Sequence, residues 1–297
     1  LPPELTGQFG VGFYSVFMIA DEVTIVTRRA GETDAWLFRT SNDGTYQIEP
    51  STRDSNGTTI TLKLKPVDEE DGIEDFASEH IIRGIVRKYS DFVAHPVKMN
   101  VSRTEYERDD KGKIKEGTEP KTIIELQTLN SMKALWTKSK DDVKEDEYKE
   151  FYKHISHDWN DPFETIHFKA EGAFEFHALL FVPSKPPFDI FMHDRRKGVH
   201  LYVKRVFIMD DCDDLLPDWL RFVRGVVDSE DLSLNISREM LQNDRRVSLI
   251  RKRLVGKILD SLKTVSNSDA KRFNEFWASF GKVVKEEIGR ASCRERV

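Results

Sequence analysis

The sequence predicts a protein of the α/β (α+β) class, built from two consecutive units. Short segments with alternating apolar and polar residues, typical of strands, surround an amphipathic helix in the first third of the chain. A charged stretch follows at 106–121, and two segments with helical apolar spacing lie near the end. At 297 residues the chain is long enough for two units, each with its own core.

The first unit, predicted over residues 1–105, is expected to be an antiparallel sheet with helices on one face. The apolar run 13–20 predicts a short buried helix, and the apolar spacing within 73–92 predicts an amphipathic helix. Period-two alternation and turn residues such as Asn-Asp-Gly predict the strands. These strands are 22–29, 35–40, 46–48, 59–65 and 97–101.

The second unit is predicted over residues 122–287, after a linker at 106–121 that contains almost no apolar residue. Its helices are predicted at 145–156, 217–226, 248–265 and 271–285, and its strands at 175–182 and 198–209. The final segment, 288–297, lacks apolar periodicity and resembles a translated sequencing adapter. We expect it to be a non-native tail; a natural basic tail is the alternative.

Composition narrows the classes of function. The net charge of −6 disfavours a general nucleic-acid surface, which needs an excess of basic residues. No apolar run approaches the ~20 residues that span a bilayer, so no membrane partner is expected. Cys212 and Cys293 lie too far apart for a zinc motif or a disulfide framework. We therefore expect a cytoplasmic protein without a structural metal.

Residues 7–15, GQFGVGFYS, contain three glycines directly before an apolar run. A P-loop would need Lys and Ser or Thr after the second glycine of its GxxxxG pattern, but Phe13 and Tyr14 follow Gly12. A dinucleotide fingerprint has the order GxGxxG after a strand, whereas the order here is GxxGxG. Two interpretations stay open: backbone that binds phosphate at a helix start, or a tight turn that packs a helix on a sheet.

Five segments, taken in order along the chain, resemble the ninety-kilodalton heat-shock chaperone family, most closely its bacterial members. As a set they are far more specific than the glycine motif alone. The segments are 7–28, 55–62, 134–137, 147–154 and 220–242.

This resemblance implies part of a Bergerat-type ATP-binding sandwich, followed by an α/β/α middle domain with trailing helices. It implies an ATP-dependent molecular chaperone that binds ATP and Mg²⁺, couples hydrolysis to clamp opening and closing, and acts on unfolded or partly folded client proteins. It also implies a homodimer formed through a C-terminal domain absent from these residues.

The resemblance assigns nucleotide contacts to the hinge of a lid over ATP. The matching residues are Gly7, Gln8, Phe9, Gly10, Val11, Gly12 and Phe13. Thr58 matches a threonine that helps to bind adenine through water. The alternative for Thr58 is an ordinary β-branched strand residue.

Arg238, Asn235 and Gln242 match the family's catalytic loop, in which the arginine reaches the γ-phosphate of ATP. A guanidinium suits this role because it offers several donors and a permanent charge. The alternative is a surface ion pair of Arg238 with Glu239 or Asp244, which would contribute little to stability.

Partner-binding candidates lie in the second unit. Trp136 matches a family tryptophan near client surfaces, and a partly buried structural tryptophan is the alternative. Phe188, Phe191 and Met192 lie in a proline-containing loop that corresponds to an amphipathic loop of the family. Their apolar side chains are expected either to bind unfolded segments or to cap the core.

The family's catalytic glutamate, its metal-binding asparagine and its adenine-binding aspartate all precede the glycine hinge. Because the chain opens at Leu1, almost directly on that hinge, we expect a fragment that does not hydrolyse ATP by itself. Two rivals stay open. One is another Bergerat-fold ATPase, of the type II topoisomerase or mismatch-repair type; the other, for the fragment alone, is a nucleotide-independent protein-binding module.

Overall fold

The structure is a computed structural model with two compact units, residues 1–85 and 86–297. Each unit is described separately below. The described residues are 11–41, 43–68, 70–105, 121–172, 174–188, 190–192, 198–210, 212–230, 232 and 245–286.

The first unit is a four-stranded antiparallel sheet preceded by a 3-10 helix, Val11–Met18. The strand order in the sheet is β3-β2-β1-β4, so β1 lies between β2 and β4. The strands are β1 Ala20–Arg28, β2 Ala35–Ser41, β3 Tyr46–Ser51 and β4 Gly57–Leu64.

Two helix predictions in this part of the chain need correction. In the run 13–20, residues up to Met18 form a 3-10 helix rather than a buried helix, and Ala20 begins β1. Tyr14 and Met18 are exposed, because so continuous an apolar run cannot turn every side chain toward one sheet. Helix α1 spans only Glu79–Tyr89. It cannot begin at Ile73, whose backbone N–H and C=O are both paired with Asp68, at N···O distances of 2.7 and 2.9 Å.

The charged segment lies between two strands that pair with each other. Strand β5, Lys98–Glu105, pairs antiparallel with β6, Lys121–Thr128, and both strands lie in the second unit. Residues 106–120 thus join two paired strands. The domain boundaries taken from the sequence, at 105 and 121, stay predictions.

The second unit contains a five-stranded mixed sheet of order β10-β9-β11-β8-β7. Strand β11 is antiparallel to β8 and parallel to β9. The strands are β7 Glu164–Ala170, β8 Phe176–Val182, β9 Val199–Val203, β10 Val206–Met209 and β11 Arg224–Ser229. The helices are α2 Glu145–Ser156, α3 Arg245–Ser268 and α4 Ala270–Val284.

Apolar residues cover both faces of this sheet. Along β8, Leu179 and Phe181 belong to a core cluster that includes residues of α2, whereas Leu180 and Val182 belong to a cluster that includes residues of α3 and α4. Alternate residues of a strand point to opposite faces, so helices lie on both sides of the sheet. This arrangement is the expected α/β/α layering, and the predicted fold class is confirmed.

The helix predicted at 217–226 is wrong. A short 3-10 turn, Asp218–Leu220, leads instead into the central strand β11. Gly225 has a φ of +145°, and a Cβ atom there would lie 2.2 Å from the carbonyl oxygen of Leu179 on β8. A glycine at this position therefore lets the two strands approach closely.

Candidate functional site

The predicted ATP-contacting hinge is described only in part, since residues 7–10 lie outside the described ranges. The backbone from Val11 onward is helical, and the Ser15 hydroxyl donates to the Gly12 carbonyl oxygen at 2.6 Å. The ring of Phe13 lies edge-on against Phe38 of β2, with 6.0 Å between the ring centroids. This aromatic contact joins the start of the helix to the sheet.

Thr58 lies on β4, directly opposite Thr27 of β1. The two hydroxyl oxygens are 2.8 Å apart, and the Thr58 side chain is exposed. Since a hydroxyl has one donor and two acceptor positions, this pair retains capacity to bind water or a ligand. Phe13 lies in the 3-10 helix and contacts β2, whereas Thr58 lies on β4 and contacts β1. The structure therefore places these two nucleotide candidates on different elements that contact different strands.

The predicted catalytic residues Asn235, Arg238 and Gln242 lie outside the described residues, which resume at Arg245. Their roles stay predictions. Within the ranges that the structure does describe, no three His, Cys, Asp or Glu side chains come together as a metal-binding group. In the same ranges, no helix has the length and apolar character needed to cross a membrane.

The structure contradicts the prediction that Trp136 binds a partner, because this side chain is 0% exposed. Its ring packs among aromatic side chains, with centroids 4.8 Å from Phe92 and 5.2 Å from Tyr202. Its indole Nε1–H donates to the Asp228 carboxylate at 2.8 Å. Trp136 is a core residue, although the segment around it matches the family.

The carboxylate of Asp228 is itself buried, on the central strand β11. Besides the Trp136 indole, it accepts the backbone N–H of Arg205, which lies 3.2 Å from each carboxylate oxygen. Arg205 and Lys204 both have positive φ, in the turn that joins β9 to β10. Burial raises the pKa of Asp228, and these two donors oppose that rise.

His167 connects α2 to the same aromatic cluster. The Tyr148 hydroxyl lies 2.6 Å from Nδ1 of His167, and Nε2 lies 3.2 Å from the Trp136 carbonyl oxygen. In the neutral tautomer protonated at Nε2, the ring accepts from Tyr148 and donates to Trp136. Burial lowers the pKa of His167; the hydrogen bond to the Trp136 carbonyl oxygen opposes this, and His177 and Lys140 add to the lowering.

The segment 183–192, named here the apolar loop, presents three large apolar side chains to solvent. Phe188 is 93% exposed, Phe191 is 60% exposed and Met192 is 57% exposed. Ile190 lies between them in sequence but is buried in the core. Ile190 thus attaches this part of the loop to the core, while Phe188, Phe191 and Met192 stay accessible.

Arg221 is a residue that the sequence predictions missed. Its side chain is buried, and its Nε–H donates to the Ile190 carbonyl oxygen at 2.8 Å. Its guanidinium carbon lies 6.0 Å from the centroid of the Phe191 ring. A charged residue within the apolar stretch 219–223, WLRFV, was the signal available in the sequence.

Similarity to known proteins identifies the family of the chain. A family model described as Hsp90 protein matches residues 102–296. The chain belongs to the Hsp90 family. The match includes most of segment 288–297, whose assignment as a non-native tail stays a prediction.

Relatives within the Hsp90 family agree with this assignment. The chain is 55% identical over 285 residues to the "Chaperone protein HtpG" of Rhodococcus jostii, and this match covers 96% of the chain and 43% of the relative. It is 54% identical to proteins of the same name from Salinispora arenicola (96% of the chain, 43% of the relative) and Mycobacterium tuberculosis (96% and 44%). The chain therefore spans less than half the length of these relatives.

The resemblance to the bacterial Hsp90 type is confirmed, and Hsp90 membership supports a chaperone role. It also removes the rival assignment to a type II topoisomerase or mismatch-repair ATPase. The separate roles of the hinge, of Thr58 and of the residues between 233 and 244 stay predictions.

Proposed function

We propose that the chain is part of an ATP-dependent molecular chaperone of the Hsp90 family, and that its apolar loop binds unfolded or partly folded client proteins. In the complete protein, ATP and Mg²⁺ close a clamp formed by two copies, and hydrolysis reopens it. The hinge at residues 7–13 and Thr58 contact the nucleotide. Identity of 55% to an HtpG chaperone supports the chaperone role, and the exposure of the loop supports the client-binding role.

The exposed rings of the apolar loop are the observation on which client binding rests. Full burial of a Phe or Met side chain contributes about 1.5–3 kcal/mol relative to leaving it exposed. Contact with apolar residues of a client can supply part of this free energy at each of the three exposed side chains, Phe188, Phe191 and Met192. Association itself costs several kcal/mol, so we expect weak and reversible binding, as a client that must be released requires.

The test of client binding is suppression of aggregation of a heat-denatured model protein. A triple variant, Phe188→Ser, Phe191→Ser and Met192→Ser, is expected to need at least about tenfold more chaperone for the same effect, because loss of ~1.4 kcal/mol of binding is tenfold in affinity. The matched control is Ile124→Ser in strand β6, which removes a side chain that is 70% exposed elsewhere in the second unit. Equal activity of the triple variant and the control would exclude the loop as the client site.

The ATPase role is tested in the full-length protein with Arg238→Ala. We expect turnover to fall at least about tenfold, because removing a guanidinium that stabilises phosphoryl charge typically costs more than this factor. Nucleotide affinity is expected to change little. Unchanged turnover would remove Arg238 from the catalytic role.

For the isolated chain, a nucleotide-independent binding module is the second candidate. It is favoured by the exposed side chains of the apolar loop among the described residues. Calorimetric titration of the chain with ATP is expected to show no binding at micromolar nucleotide. Clear binding would reject this candidate.

A further inference from the structure

The Arg221 side chain makes polar contacts to three separate parts of the second unit. The Nε–H donates to the carbonyl oxygen of Ile190 in the apolar loop, and Nη1 donates to the Asp218 carbonyl oxygen at 3.1 Å. Both terminal nitrogens donate to the carboxylate of Glu286, with Nη2 lying 2.6 Å from Oε1. The arginine side chain is 4% exposed and that of Glu286 is 38% exposed.

Charge explains why these contacts depend on each other. A buried guanidinium is unfavourable unless a carboxylate neutralises it, and the two-point contact with Glu286 provides that neutralisation. Helix α4 ends at Val284, and Glu286 lies just beyond this end. The Arg221 head group is thus held between the end of α4 and the apolar loop, and its Nε–H is directed to the backbone of that loop.

The position of Ile190 makes this contact relevant to the loop surface. Its side chain is buried, whereas Phe188 and Phe191 on either side are exposed. Holding the Ile190 carbonyl oxygen fixes the backbone on which both rings are displayed. The Arg221 guanidinium also lies near the face of Phe191, which restrains one ring directly.

We propose that Arg221 and Glu286 form a positioning pair that holds the apolar loop in its exposed conformation by connecting Ile190 to the end of α4. The role of the pair in client binding rests on the function proposed above. Displacement of the α4 end releases the guanidinium and with it the loop, so the pair provides a route by which the trailing helices control client binding.

The test is hydrogen exchange of the loop backbone in Arg221→Met and Glu286→Gln. Met keeps much of the apolar volume of the arginine stem. Gln keeps the size of the Glu286 side chain but removes its charge and replaces one of its two acceptor oxygens with a donating amide group. We expect exchange of the Ile190 amide, whose N–H is bonded to the Pro187 carbonyl oxygen at 3.2 Å, to become at least about tenfold faster in both variants, because the loop opens more often.

Arg272→Met is the matched control. Arg272, on α4, also contacts a backbone carbonyl oxygen and a carboxylate, those of Phe163 and Glu164. We expect its loss to leave exchange in the loop unchanged. If Arg221→Met does not fold, Glu286→Gln decides, because that position is partly exposed.

Two readouts separate this proposal from the proposed function. Exchange in the loop that is unchanged in the pair variants, or equally faster in Arg272→Met, overturns the positioning pair. Faster exchange confined to the pair variants supports it. If the pair variants then suppress aggregation of the client as well as the unsubstituted protein does, the positioning pair is supported and the client-binding role of the loop is rejected.

Discussion

Replacement of Trp136 by Phe tests the central contact of the aromatic cluster. The substitution keeps an aromatic ring against Phe92 and Tyr202 but removes the indole N–H that donates to Asp228 at 2.8 Å. The Asp228 carboxylate then retains the backbone N–H of Arg205. The substitution therefore leaves the buried Asp228 carboxylate with one of its two hydrogen-bond donors.

The expected cost follows from these interactions. A hydrogen bond to a charged group contributes about 1.5–3 kcal/mol. The smaller ring leaves a void in a site that is fully buried, which adds about 1 kcal/mol. We therefore expect Trp136→Phe to reduce the free energy of unfolding by about 2.5–4 kcal/mol.

Urea denaturation followed by far-ultraviolet circular dichroism measures this loss without relying on tryptophan fluorescence. The same substitution made in an Asp228→Asn background provides the control. There the lost hydrogen bond goes to a neutral group, so Trp136→Phe should cost about 1–1.5 kcal/mol less. A cost below about 1 kcal/mol in the unsubstituted background, or equal costs in both backgrounds, would refute the role assigned to the indole–carboxylate contact.

The remaining predictions concern the sheet and pH. Gly225→Ala should destabilise the chain by about 3–5 kcal/mol, because the new Cβ atom would clash with the Leu179 carbonyl oxygen and the φ of residue 225 is positive. The control is Gly256→Ala in α3, where the space around the position is open, and it should be neutral or stabilising. Because burial lowers the pKa of His167, its contribution to stability is complete above the unfolded pKa of about 6.5 and decreases as pH falls toward the lower folded value. The difference between the urea midpoints measured at about pH 7.5 and about pH 5.5 should therefore be smaller in His167→Gln than in the unsubstituted chain. An equal difference in the two proteins would contradict this prediction.

Local patterns account for the parts of the fold that the sequence predicts correctly. The bounds of α2 agree with the prediction because they are set by neighbouring residues: the Glu147 carboxylate accepts the Lys144 N–H at 3.0 Å, at the first turn. The apolar spacing of α3 and α4 is likewise local. By contrast, 217–226 has apolar residues compatible with a helix, and pairing with β8 and β9 makes most of its second half a strand.

The contacts of the site residues could not be predicted either, because they too depend on residues distant in sequence. Trp136 lies in a segment that matches the family, but the carboxylate that its indole N–H contacts, that of Asp228, is 92 residues away in sequence. Arg221 reaches Ile190 and Glu286, which are 31 and 65 residues away. Such partners are set by tertiary structure, so the sequence provides the residue types without their contacts. For Phe188 the sequence left two alternatives, exposure for partner binding or capping of the core, and only the structure, in which this side chain is 93% exposed, decides between them.

The position of β11 has a consequence for synthesis of the chain. The central strand of the five-stranded sheet is the last of its strands to leave the ribosome, because synthesis proceeds from the N-terminus. Until Ser229 has been made, β8 and β9 each have an unpaired edge where β11 later binds. Exposed strand edges promote association between chains. The nascent second unit is therefore most vulnerable to aggregation just before its middle strand emerges.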